Sequence, residues 1–176
     1  MDHVILVDEH DTELGTMPKL DAHRPPGHLH RAISVFAIDP GARILLQRRA
    51  ASKYHFPSLW TNTCCSHPRP GESVQDAARR RLREEMGIAA SPTPVGTFTY
   101  VAVDPVSGLI ERELDHVCIA HVNTDPTPDL AEADDWRWVS LTALQSDLAA
   151  NARAYTPWLP PALDCLLHSG AIASDR

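Results

Sequence analysis

The sequence predicts a single α+β domain, an α/β/α sandwich built on a mixed sheet, and three observations carry that prediction. β-rich runs stand both before and after one central amphipathic helix, helical patterns gather towards the C-terminus, and no repeat or linker divides the 176 residues. A chain of this length that is 43 % hydrophobic can bury one good core. The expected organisation is one domain over 1–176, with a core at about 30–160, an N-terminal strand and loop in 1–29 and a C-terminal helix at 157–170.

Val4–Val7 is a short β-rich run, followed by a polar turn at Glu9–Gly15. Pro18–His28, rich in proline, histidine and charge, reads as a loop. His30–Ile38 alternates and carries Val, Ile and Phe; with Arg43–Gln47 across Asp39-Pro40-Gly41-Ala42 it predicts a hairpin. Ala50–Pro70 has little periodicity, yet holds Trp60, two cysteines and two histidines. Such a stretch inside a compact domain is more often functional than idle. Ser73 is a helix N-cap with Asp76 three residues on, and Val74, Ala77, Ala78, Leu82 and Met86 recur at helical spacing until Gly87 closes the run. Val95–Val103 and Leu109–Val122 predict strands around a turn at Asp104–Gly108. Asp135–Val139 is a further strand, leading into a Ser140-started helix near Leu141–Leu148, and Pro157 opens a last helix ending near Gly170.

The net charge of −7 argues against a general nucleic-acid binder, while leaving room for a local basic pocket that takes a small anion. No run approaches the length of a membrane span, and Met1–Leu14 lacks the basic-then-apolar plan of a secretory signal. The four cysteines make no disulfide framework, since Cys64 and Cys65 are adjacent while Cys118 and Cys165 stand apart. The expectation is a reduced cytoplasmic protein, monomer or weak homodimer, with neither nucleic acid nor membrane as partner.

On the capped helix, at about 100° per residue, Arg81 and Glu85 fall in the sector of Val74, Ala78 and Leu82. A guanidinium and a carboxylate on a core-facing stripe must pair or bind something. Arg80 and Glu84 repeat the spacing, and two intrahelical ion pairs would explain the pattern equally well. The order Glu72, Arg80, Leu82, Glu84, Glu85, Gly87, Ile88 resembles the Nudix box. Ser66 stands where that box begins with glycine, and Arg81 replaces the glutamate after the arginine, which removes part of the acidic cluster that hydrolytic members use to hold magnesium. The segment Trp60-Thr61-Asn62-Thr63-Cys64-Cys65-Ser66-His67-Pro68 is similar to the cysteine segment of type I isopentenyl-diphosphate isomerases, where serine after the cysteine is an accepted form. The resemblance continues through His23, His30, Arg48-Arg49-Ala50, Ser52-Lys53, Tyr100, Glu111-Arg112-Glu113 and Thr156-Pro157-Trp158, nearly the whole chain. Tyr54-His55-Phe56 borders the expected site and varies, a change expected to touch closure and not chemistry.

The resemblance implies a Nudix-like fold and conversion of isopentenyl diphosphate to dimethylallyl diphosphate for isoprenoid biosynthesis. It implies His23, His30, His67, Glu111 and Glu113 as ligands of one divalent metal: manganese, zinc or magnesium. Spacing alone lets Glu111 and Glu113 share a strand face, but such a pair is ordinarily a solvated edge; it also leaves His28 and His30 equivalent, and the family pattern favours His30. Cys65 and Glu113 are implied on opposite faces of the substrate, with Tyr100 assisting and Trp158 stabilising a carbocation-like state. Lys19, Arg49, Lys53 and Arg81 are implied at the diphosphate, and Glu85 with the Cys65 backbone at a magnesium ion that joins the substrate. Cys64, Cys118 and Cys165 are read as buried and inert. A Nudix hydrolase would need the complete acidic box, and a non-catalytic Nudix-fold module would have lost its acid, base and ligands. Arg81 counts against the first and the full residue set against the second.

Overall fold

The computed structural model describes residues 2–172; Met1 and residues 173–176, the extremes of the expected 1–176 domain, lie outside the described residues. The elements run β1 (His3–Val7), β2 (Glu13–Pro18), α1 (Lys19–His23), β3 (His30–Ile38), β4 (Ile44–Arg49), β5 (Trp60–Thr61), β6 (Cys64–Ser66), α2 (Val74–Met86), β7 (Thr93–Val103), β8 (Ile110–His121), β9 (Ala133–Val139), α3 (Leu141–Ala150) and α4 (Leu159–His168). Among the described residues, no helix is long and apolar enough to cross a membrane.

β3 is the hub of the mixed sheet. It lies parallel to β8 from His30↔Glu113 to Ile38↔His121, and antiparallel to β6 from Ile33↔Ser66 to Val35↔Cys64. All of β3 except Arg31 is buried, as expected of a strand covered on both faces. Its alternate residues serve two cores. Ile33, Val35 and Ala37 pack with Ala77, Ala78, Leu82 and Met86 of α2, whereas Phe36 and Ile38 pack with α3 and α4 through Leu144, Leu159 and Leu163. The α/β/α sandwich expected from the sequence is therefore present.

Several local expectations change. The hairpin read across Asp39–Ala42 is a single pair, Ile38↔Ile44, because β6 occupies the edge of β3 at Ile33–Val35; β4 leaves to run along β9 from Ile44↔Val139 to Arg49↔Ala133. The polar turn and loop over residues 9–28 contain β2 and α1. β2 is a strand with no buried residue on the edge of β1, so it lacks the alternation by which strands are recognised. The last helix begins at Leu159, with Trp158 as its N-cap residue, and Cys165 on it is half-buried, unlike the buried Cys64 and Cys118.

α2 is capped much as its sequence suggests. Ser73 Oγ accepts the Asp76 N–H at 3.1 Å, but Asp76 takes the serine hydroxyl proton at 2.7 Å, completing the cap through its side chain and not the Ser73 N–H. At the other end Gly87 is left-handed, φ 66°, and its N–H reaches Arg83 O. A Cβ there would meet the Thr127 carbonyl oxygen at 2.6 Å. Chain reversal and close approach thus both demand glycine. Urea unfolding should read about 1 kcal/mol lost in Ser73→Ala, more than about 1 kcal/mol in Gly87→Ala, and about 2–5 kcal/mol in Leu82→Ala. A Gly87→Ala midpoint equal to that of the wild type would overturn this account of the C-terminal cap.

Candidate active site

The site begins with the pleat of β8. Burial alternates from Glu111 to exposed Arg112 to Glu113, so both carboxylates share a face with Val117 and Ile119, which lie in the core beside α3 and α4. The parallel register with β3 sets His30 opposite Glu113. α1 presents Lys19 and His23 one helical turn apart, and the chain leaving β6 supplies His67. One ligand atom from each of His23, His30, His67, Glu111 and Glu113 lies within 4.8 Å of all the others. Ligands bound at about 2.1 Å stand roughly 3 Å apart in cis and 4.2 Å in trans, so this group fits around one divalent ion.

The orphaned atoms say the same. His23 Nδ1 lies 2.6 Å from Lys19 O, and His30 Nδ1 lies 2.8 Å from His28 O. Those N–H groups donate to carbonyls, so each ring in its neutral form keeps its lone pair on Nε2. His23 Nε2 and Glu111 Oε2 stand 2.9 Å apart, buried, with neither in a hydrogen bond of good geometry. His30 Nε2 faces His67 Nε2 at 3.1 Å, and His67 Nε2 is 2.7 Å from Glu113 Oε1. Lone pairs converging in a buried place call for a shared cation. Burial depresses His67 to about 3, which keeps the ring neutral and able to ligate. Burial opposes ionisation of Glu111, yet His23 and His55 hold its carboxyl well below the ordinary range. Burial and the charge of Glu111 also push Glu113 up, but His30 and His67 win and its carboxyl falls below its usual value.

Beside this centre lies a narrow cavity of about 50 Å³, whose lining includes Cys65, Glu113, Tyr100, Trp158 and Arg49. It shares Lys19, Lys53, Tyr54 and Arg81 with an outer pocket of about 220 Å³ that adds Arg69 and Arg80. The Trp158 indole N–H donates to Cys65 Sγ at 3.1 Å, and the Cys65 thiol donates to Asn62 Oδ1, also at 3.1 Å. Burial pushes the thiol up to about 12 against the charge of Arg49, so it stays protonated. The Tyr100 hydroxyl donates to Glu113 Oε2; burial and the charge of Glu113 hold that phenol far above its usual value. Arg49 lies 5.3 Å from the Trp158 ring centroid.

All four expected cations line the two cavities. Arg49 is buried and spends donors on Phe56 O at 2.9 Å and His55 O at 3.1 Å. Lys53 pairs with Glu132, and Arg81 reaches Glu84 at 2.7 Å, Glu85 at 2.8 Å and Glu132 at 3.1 Å. Both intrahelical pairs read from α2 are present, Arg80 to Glu84 at 3.2 Å being the other. Glu85 is buried with its two oxygens taken by Arg81 and by Gln47 Nε2 at 2.9 Å, so it meets the cavity through Arg81. Sequence reasoning gave no role to Asn62, Gln47 or Glu132, and gave the segment of His55 a part in closure alone. Asn62 lay inside the cysteine segment, but Gln47 and Glu132 carried no pattern and are identified only by the charges they touch.

A family model described as NUDIX domain matches residues 28–159. The chain is 52 % identical over 161 residues to the isopentenyl-diphosphate Delta-isomerase of Nocardia farcinica, covering 92 % of each chain. It is 55 % identical over 163 residues to isopentenyl-diphosphate Delta-isomerase 1 of Aromatoleum aromaticum, covering 93 % of this chain and 91 % of that one. Among solved structures, DR0079 from Deinococcus radiodurans superposes with a TM-score of 0.75 at 21 % identity, covering 93 % of this chain and 99 % of that chain, a likeness of fold alone.

Adding zinc or manganese to metal-stripped protein should raise its unfolding free energy, by about 2.7 kcal/mol at a hundred times Kd. The rise should vanish in a His67→Ala, Glu113→Gln double variant. An undiminished rise in that variant would place the metal elsewhere.

Proposed function

This chain belongs to the Nudix family and, within it, to the isopentenyl-diphosphate Delta-isomerases, and on that premise we propose that it interconverts isopentenyl diphosphate and dimethylallyl diphosphate by metal-assisted proton transfer. The observation that carries the assignment of residues is the small cavity on which a thiol, a metal-ligand carboxylate with its phenol, and an indole all converge.

The reaction adds a proton to the terminal alkene carbon, leaves positive charge on the tertiary carbon, and removes a proton from the neighbouring methylene. Composition is unchanged overall. An alkene is a weak base, so the acid must stand close in a dry site. Cys65 and Glu113 enter from β6 and β8, which flank β3, and they take opposite faces of the substrate. After one turnover one group has lost a proton and the other has gained one; exchange with solvent resets them. Tyr100, bonded to Glu113 Oε2, holds that carboxylate and relays its proton. Trp158, anchored by its N–H to Cys65 Sγ, offers its ring to the tertiary cation. The nearby Arg49 would repel that cation, and the diphosphate offsets its charge.

A divalent ion held by His23, His30, His67, Glu111 and Glu113, whether manganese, zinc or magnesium, supplies positive charge that steadies the two carboxylates. Lys19, Arg49, Lys53 and Arg81 receive the diphosphate at the mouth, where Lys53 and Arg81 exchange Glu132 for phosphate oxygens. Glu85 and the Cys65 backbone are assigned to the magnesium that accompanies the substrate. Glu85 Oε2, bonded by Gln47 alone, keeps a second lone pair for it, whereas Oε1 accepts two bonds from Arg81.

Isopentenyl diphosphate with metal-loaded protein in deuterated water should give dimethylallyl diphosphate carrying deuterium, read by NMR. Cys65→Ala and Glu113→Gln should each lower the rate by about 10²–10⁴-fold. Release of phosphate without isomerisation would overturn the reading in favour of a hydrolase.

A further inference from the structure

Glu113 is held at both oxygens and Glu111 at one. Glu113 gives Oε1 to His67 Nε2 at 2.7 Å and Oε2 to the Tyr100 hydroxyl. Glu111 turns Oε2 towards His23 Nε2 at 2.9 Å, and its Oε1 meets His55 Nε2 at 2.6 Å. Tyr100 was expected in the site, whereas His55 lies in the variable segment expected to affect closure alone. We infer that His55 is a positioning residue for the metal centre: by holding Glu111 Oε1 it leaves Oε2 as the single oxygen that Glu111 offers to a divalent cation. The inference rests on the reading of the His/Glu group as the cation site.

His55 is built into place. It is 6 % exposed, and its ring packs against Tyr54 at 4.4 Å and His23 at 5.9 Å between centroids. Its carbonyl accepts Arg49 Nη2 at 3.1 Å, and Phe56 beside it sits at φ 45°, turning the loop back onto the site. Nor is His55 one of the five residues whose ligand atoms lie within 4.8 Å of one another. It therefore stands behind Glu111 and not among the ligands.

A free carboxylate can bind a cation edge-on through both oxygens or rotate between modes. With Oε1 held, Glu111 takes one coordination position. Tyr100 imposes the same limit on Glu113 from its own side. The two glutamates thus use two positions where they could have used four, and both are pre-aimed. Partners that orient a ligand in this way typically change metal affinity by about 10–100-fold when lost.

The test compares metal-stripped wild type, His55→Phe, which keeps an aromatic ring but no donor, and His55→Gln, which restores an N–H. Zinc affinity is read by competition with a chromophoric chelator, and cobalt(II) loading is followed by its visible absorption. His55→Phe should bind zinc about 10–100-fold more weakly, with a weaker cobalt band as Glu111 adds its second oxygen. His55→Gln should restore both readouts, a recovery that general loss of packing would not produce. Wild-type affinity and spectrum in His55→Phe would overturn the inference. So would X-ray absorption that counts one imidazole fewer on the metal in that variant, since His55 would then be a ligand. The outcomes separate from the isomerase reading. Wild-type protein that binds metal and responds to His55 substitution, yet does not isomerise, refutes that reading alone; an active enzyme whose metal affinity ignores His55 refutes only this inference.

Discussion

Two carboxylates side by side on one buried strand face are the constraint to which the rest of this structure answers. Glu111 and Glu113 are 3 % and 6 % exposed, with ligand oxygens no more than 4.8 Å apart. Their mutual repulsion at that distance is about 3 kcal/mol for an effective dielectric near 20, and desolvation adds to it. A strand carrying both charges into a core holds only where donors, or side chains that can share a cation with the carboxylates, converge. His23, His30, His55, His67 and Tyr100 all contact these oxygens, from α1, β3, the loop after β4, the segment after β6, and β7. The site is the condition under which β8 can lie where it does.

The sheet divides the work by single-residue alternation. β6 has Cys64 in the α2 core and Cys65, one residue later, at the cavity. The same alternation on β3 sends Ile33 and Val35 to α2, while Ser34 bonds Asp115 on β8 at 2.7 Å. A register slip of one residue would bring Cys64 to the cavity in place of Cys65, or turn the carboxylates away from the histidines. Pairing β3 with β8 over nine residues, His30 to Ile38, guards against that slip.

Positive charge runs outward from this centre. The inner cavity joins the candidate ligands His67, Glu111 and Glu113 with thiol, phenol and indole, and Lys19, Lys53 and Arg81 continue from it into the outer pocket, where Arg69 and Arg80 join them under a net charge of −7 for the chain. Arg81 lines both pockets. It stands where the Nudix box has a glutamate, and its guanidinium reaches Glu84, Glu85 and Glu132. A position that is acidic in the Nudix box thereby carries a guanidinium tied to three carboxylates.

The local patterns were legible in the sequence wherever neighbours along the chain decide the structure. α2 with its serine cap and left-handed glycine, the Ile-Val-Phe alternation of β3 and the shared face of Glu111 and Glu113 all follow from periods of 3.6 and 2 residues. The candidate metal ligands and Cys65 came into view through the resemblance of whole segments, since period and spacing alone left His28 and His30 equivalent and made the glutamate pair look like a solvated edge. Contacts between distant segments decided the rest. β2 escaped notice because an exposed edge strand has no buried face to pattern, and the β3–β4 hairpin yielded to β6, whose claim on that edge no local signal announces. His55 and Glu132 acquire their meaning from partners 56 and 79 residues away, Glu111 and Lys53. Sequence by itself determined which side chains share a face. The tertiary structure alone decided which faces meet, because a buried charge is satisfied by whatever the folded chain sets beside it and not by its neighbours in order.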